Sequence, residues 1–188
     1  MSWYRAATPQ QRRALIAASL GWMLDSMDFM ISSMVLAYLM KDLGMSKPMA
    51  GLLSSFGQLS AAAGGLVFGV IADRFGRTRA MIGSIAIYSV FTALCGFSQT
   101  ITQLAVLRVI VGFGLGGEFA SGAALVSESW PAQHRGKALG VVHSSWAVGY
   151  GLAALATGLL LPRWGWRVVF FVGALPALVT LWIRRSVE

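Results

Sequence analysis

The chain has 188 residues, of which 56% are hydrophobic and only 12% charged, with 22 Gly, 10 Phe, 9 Met and 7 Trp. A soluble domain carries about 25% charged residues, so this chain has too little charge to coat a water-soluble globule, and the mean hydropathy of +0.68 agrees. Cys95 is the only cysteine, which excludes a disulfide framework or thiolate metal cluster; the net charge of +8 falls in short clusters between apolar runs, the pattern of membrane topology signals and not of a nucleic-acid surface.

With ~20 apolar residues per crossing and short loops, the chain accommodates six spans, at 15–40, 50–71, 80–98, 103–127, 138–161 and 168–183. Backbone groups in hydrocarbon must bond internally, and no run alternates with period 2, so the spans are predicted to be helices and not barrel strands. The first run is too long for a signal-peptide core and no small-residue cleavage site follows it, so it is expected to be retained. Connections at Lys41–Pro48, Asp73–Arg79, Trp130–Lys137 and Pro162–Arg167 are short and rich in helix breakers. One all-α membrane domain over residues 1–188 is expected, with residues 1–14 as an N-terminal extension.

Orientation follows from Lys and Arg. Ten fall on one side (Arg5, Arg12, Arg13, Arg74, Arg77, Arg79, Arg135, Lys137, Arg184, Arg185) and four on the other (Lys41, Lys47, Arg163, Arg167), leaving Arg108 inside a span. That bias predicts cytoplasmic termini and a multi-pass protein of the inner (plasma) membrane. Trp3, Tyr4, Trp130, Trp164, Trp166 and Trp182 lie near the predicted boundaries, where aromatic belts form. An internal echo occurs at an offset of 89 residues: Gly69 and Arg74-Phe75-Gly76 recur as Gly158 and Arg163-Trp164-Gly165. The copies close loops on opposite sides, as expected for two inverted three-helix repeats.

An ionisable residue at a span centre costs about 2.5–3.5 kcal/mol on insertion scales, which makes each one a functional candidate. Asp25 and Asp28 share one face of span 1, with Asp25 ~15 Å deep. Span 4 runs the other way and brings Arg108 to a depth similar to that of Asp28, so those two can pair. Glu118 and His143, both in the inner half, are expected to meet. Carboxyls that exchange protons are the reading for Asp25 and Asp28, and a static ion pair is the structural alternative for each group. The glycines Gly64, Gly65 and Gly69 of span 2 and Gly112-Phe113-Gly114-Leu115-Gly116-Gly117 of span 4 are expected to serve close helix packing. The second run is no dinucleotide fingerprint, because it follows no strand and lies within the bilayer.

The segment Gly69-Val-Ile-Ala-Asp73-Arg74-Phe75-Gly76-Arg77-Thr78-Arg79 resembles the cytoplasmic 2–3 loop signature of the major facilitator superfamily. Arg108-x-x-x-Gly112-x-Gly114-x-Gly116 is similar to its fourth-helix motif. Leu20-Gly-Trp-Met-Leu-Asp25-Ser-Met-Asp28-Phe29, Gly117-Glu118-Phe119, Glu128-Ser129-Trp130-Pro131 and Trp164-Gly165-Trp166-Arg167 resemble the sialate and organic-acid proton symporters within it. The resemblance covers the N-terminal six-helix half of such a transporter. It implies proton coupling and substrate handling at Asp25 and Asp28 beside a central cavity, with electrostatic tuning by Arg108. It also implies a conformational latch built from Gly69, Asp73, Arg74, Gly76 and Arg77. Span 5 reads Trp146-Ala-Val-Gly-Tyr-Gly151 without the glycine–proline motif of drug antiporters, which favours symport.

The expectation is therefore secondary transport of a small organic anion with protons, in a half-transporter completed by a second copy of itself or by a missing C-terminal half. The alternatives are a non-transporting membrane or binding module, and a carrier of sugars or other neutral solutes. Ser144-Ser145 beside His143 lack an orienting acid in sequence reach, so no enzyme, catalytic group, metal or cofactor is expected. The partners implied are the lipid bilayer, the anion and protons, with no nucleic acid.

Overall fold

Thr8, Ser46 and Thr100 each accept a backbone N–H three residues ahead, and these caps set where the helices begin. At Thr8 the cap is reciprocal, since the Gln11 side chain returns to the Thr8 N–H at 2.9 Å, and Pro9 fills the first helical position. The computed structural model describes Tyr4 and residues 7–172, and within them five helices follow in order. They are α1 (Pro9–Asp42), α2 (Lys47–Phe75), α3 (Arg77–Cys95), α4 (Ile101–Ser129) and α5 (Ala132–Val172), each with an apolar stretch long enough to cross a bilayer. Most of them outrun the predicted spans by a few residues, because hydropathy marks the oily segment whereas the caps mark the helix end.

The expected count of six differs from the five described. The loop expected at Pro162–Arg167 shrinks to a single non-helical residue, Gly165 (φ 74°, ψ 178°), within α5. Helix resumes at Trp166 and runs to Val172; the remainder of the span expected at 168–183 lies outside the described residues. Gly76, between α2 and α3, likewise has a positive φ of 98°. A side chain is strained in that region, so both glycines hold torsions that other residues rarely adopt. They are the pair related by the 89-residue echo.

The helices sort by burial. α1 is the most enclosed, packed against α4 and α5, whereas α2 and α5 leave one flank open. α1 meets α5 closely: Ser26 Oγ donates to the Trp146 carbonyl at 2.7 Å, and a Cβ on Gly149 would land on the Met23 carbonyl. α2 meets α4 in the same manner: Ser60 Oγ donates to the Val109 carbonyl at 2.6 Å, and Cβ atoms on Gly64, Gly112 or Gly116 would strike backbone across the interface. Gly114 faces the α3 backbone at Ser84 and Tyr88. The α4 glycines thus let two neighbours approach to backbone contact, the usual way membrane helices gain packing where oil offers no hydrophobic drive. Leu52, Phe56, Leu59 and Leu66 of α2 and Val148, Leu155 and Leu159 of α5 are exposed.

The bundle is tied at both ends. At one end Gln11 donates to the Ser129 carbonyl at 3.0 Å while Trp130 Nε1 donates to the Gln11 carbonyl at 3.2 Å. At the other end Asp42 accepts from Trp166 Nε1 at 2.8 Å and from Arg167 Nη1 at 3.0 Å, with the Arg167 guanidinium over the Trp166 ring. Gly116→Ala, which pushes a methyl into the Ala61 carbonyl, is expected to destabilise the bundle by about 1–3 kcal/mol in detergent unfolding experiments. Gly140→Ala, with nothing within 4 Å of its new methyl, is expected to be neutral or slightly stabilising in the same assay.

Candidate functional site

One turn of α1 carries both Asp25 and Asp28, and both are buried, with exposures of 4% and 1%. Two long side chains of α4 converge on this turn. Arg108 and Glu118 are ten residues apart, ~15 Å along the helix, so one reaches it from each side. Arg108 Nη1 meets Asp28 Oδ2 at 3.2 Å. Glu118, 1% exposed, fills the space above Gly21 and interacts with Asp25 side chain to side chain. Two carboxylates bring only acceptors, so their close approach is unfavourable unless a proton is shared. The meeting expected of Glu118 with His143 gives way to this pair. His143 is exposed and sits edge-on to the Trp22 ring, 5.6 Å between centroids.

A cavity of about 570 Å³ opens beside the cluster, between α1, α2, α4 and α5. Asp25 and Arg108 line it, together with an aromatic wall of Trp22, Phe29, Phe119 and Trp146 and the amide of Gln58. Within that wall Trp22 packs on Phe119 at 4.6 Å and on Trp146 at 4.9 Å between centroids. Asp25 lines the cavity and Glu118 does not. An apolar wall with a few convergent polar groups is the usual make-up of a small-molecule site.

The residues expected to form a latch lie around Gly76, at one end of the bundle. Arg77 Nη2 lies 2.6 Å from Asp73 and 2.8 Å from Glu128 at the foot of α4, and its Nε also donates to Glu128 at 3.1 Å. Gly76 supplies the turn, Arg74 is exposed, and a Cβ on Gly69 would meet nothing within 4 Å. Reading the sequence by itself missed Glu128 as the partner of Arg77, and it missed Tyr88. Ser84, Tyr88 and Thr92 recur every fourth residue of α3 and all are fully buried, a polar stripe on an otherwise apolar span that could have flagged this face. Among the described residues, no group of three or more His, Cys, Asp or Glu is placed to hold a metal ion.

The Major Facilitator Superfamily matches residues 18–188. A probable 4-methylmuconolactone transporter of Cupriavidus pinatubonensis is 40% identical, aligned over 100% of this chain and 45% of its own length. The sialic acid transporter NanX of Escherichia coli is also 40% identical, over 98% of this chain and 46% of its own. The crystal structure of a bacterial homologue of the human lysosomal transporter Spinster, inward-facing and unoccupied, superposes with a TM-score of 0.88 at 24% identity, covering 97% of this chain and 44% of that one. The chain belongs to the major facilitator superfamily, a family of membrane transporters and not of enzymes, and it spans about half the length of the curated relatives it matches.

Removing one partner of a buried ion pair strands the other. Arg108→Gln and Asp28→Asn are each expected to lose about 3 kcal/mol or more of stability. The double variant is expected to lose less than the sum, by about 1–3 kcal/mol of coupling, in a double-mutant cycle of unfolding in mixed detergent.

Proposed function

We propose that the chain is one half of a carrier that moves a small organic anion together with protons by alternating access. The observation that carries this reading is the Asp25–Glu118 carboxyl pair beside a cavity whose one cationic lining residue among the described residues is the part-buried Arg108, already engaged by Asp28. Three buried acids share one guanidinium. The pair therefore needs at least one proton, and an anion entering the cavity adds charge that a second proton offsets. Anion and proton then travel together. Arg108, which both lines the cavity and holds Asp28, is the group on which an incoming carboxylate and Asp28 compete. The relatives named for 4-methylmuconolactone and for sialic acid support an organic acid over a neutral sugar.

The six-helix, inverted-repeat arrangement is supported by Gly76 and Gly165, equivalent in the echo and alike in positive φ. The crossings support it too: α1 on α5 and α4 on α2 share a serine-to-carbonyl bond and a glycine against backbone. The Lys and Arg bias supports placing both termini and the Asp73–Arg77–Glu128 latch on the cytoplasmic side of the inner membrane. The exposed apolar flanks of α2 and α5 beside the cavity support closure by a second half, either another copy of this chain or a C-terminal half of the same polypeptide.

In proteoliposomes holding the complete carrier, an inward proton gradient is expected to drive uphill uptake of a labelled carboxylate, and an uncoupler to collapse it. Asp25→Asn is expected to cut uphill uptake at least about tenfold, the scale of one lost charge interaction near 1.4 kcal/mol, while substrate exchange persists. Accumulation that survives the uncoupler contradicts the coupling.

A further inference from the structure

The mechanism leaves one buried group unused. Tyr88 of α3 is fully buried, and its hydroxyl reaches the Asp25 carboxyl without making a hydrogen bond of full geometry. Asp25 Oδ1 and Glu118 Oε2 are buried and unpartnered too. Unsatisfied polar atoms are rare in native interiors, and three at one point mark a site whose bonding changes during function.

The chemistry of the pair explains why a phenol belongs there. While a proton lies between Asp25 and Glu118, the carboxyls hold each other and need no further donor. Once it leaves, two carboxylates face each other in a dry space. The groups acting on Asp25 are Glu118 of α4, Tyr88 of α3 and Asp28 of α1. Arg108 is held by Asp28, and His143 of α5 lies against Trp22. Of these, Tyr88 is the one that offers Asp25 a donor, and the incomplete geometry of that contact fits the protonated arrangement.

Resting on the proton-coupled reading above, we infer that Tyr88 is a positioning residue of the proton site, its hydroxyl contact with Asp25 drawing into a full hydrogen bond when the Asp25–Glu118 pair gives up its proton and loosening when the proton returns. The same donor then makes the deprotonated pair a defined resting geometry and not a repelling one.

Infrared difference spectroscopy of the reconstituted chain during a pH titration reads this without requiring flux. The expected result is that the carboxyl C=O band of the pair disappears in step with a change in the tyrosine phenol C–O band. The tyrosine change is expected to vanish in Tyr88→Phe and also in Asp25→Asn, which keeps Tyr88 and a carbonyl acceptor but removes the charge that would draw the hydroxyl in. Loss of the hydrogen bond is expected to displace the carboxyl midpoint of Tyr88→Phe by about one pH unit. A carboxyl step with a silent tyrosine band, or a tyrosine change that persists in either variant, overturns the role of Tyr88 and leaves proton coupling standing. Absence of any carboxyl step in the unmodified chain overturns both. Should Tyr88→Phe fail to fold, the Asp25→Asn comparison decides alone.

Discussion

Three carboxyls and a single guanidinium meet within the membrane-spanning part of the bundle, and that imbalance is the constraint on which the rest of the structure depends. Asp28 and Arg108 neutralise each other at 3.2 Å. Asp25 and Glu118 meet each other and, among the described residues, have no such cation. A buried charge without a partner is among the most costly features a fold can carry, so the cluster is tolerable only with a proton in it. On the proposed proton-coupled reading, structure and transport become one problem, since whatever loads or unloads that proton also changes what the helices can bury.

The helix packing follows from placing this cluster. α1 must sit at the centre for both aspartates to leave water, and it does so because Gly149 and Ser26 allow α5 against it at backbone distance. α4 must bring Arg108 and Glu118 to the same turn of α1 while also holding α2 and α3, and its glycines remove the side chains that would keep those helices away. On the cavity wall, Trp22 packs against Phe119 and Trp146 to form an aromatic surface beside Asp25. At the bundle ends, Asp42 with Trp166 and Arg167, and Arg77 with Asp73 and Glu128, tie successive elements by exposed pairs. Such exposed pairs are individually weak and so suited to opening and closing.

Much of this was legible in the residues. The spans could be read because oil forbids unsatisfied backbone, and the depth of Asp28 and Arg108 followed from helical rise alone. The positive φ of Gly76 and Gly165 gives physical content to an echo of only a few letters. What the sequence hid was azimuth. Depth placed Glu118 and His143 in the same half of the bundle, but their faces differ: Glu118 turns to Asp25, while His143 looks out past Trp22. Tyr88 was hidden for the same reason, because its meaning depends on which neighbour its helix face meets. The helix break at Gly165 was expected as a loop, and one glycine sufficed where hydropathy suggested several residues.

The central claim is that the Asp25–Glu118 pair holds a proton inside the bilayer while Asp28 is ionised against Arg108. Solid-state NMR of the chain in lipid bilayers at neutral pH, with ¹³C-labelled carboxyls assigned through Asp25→Asn, Asp28→Asn and Glu118→Gln, measures this directly. The account predicts a protonated carboxyl signal from the pair and an ionised one from Asp28. Fully ionised signals from Asp25 and Glu118 together would contradict it.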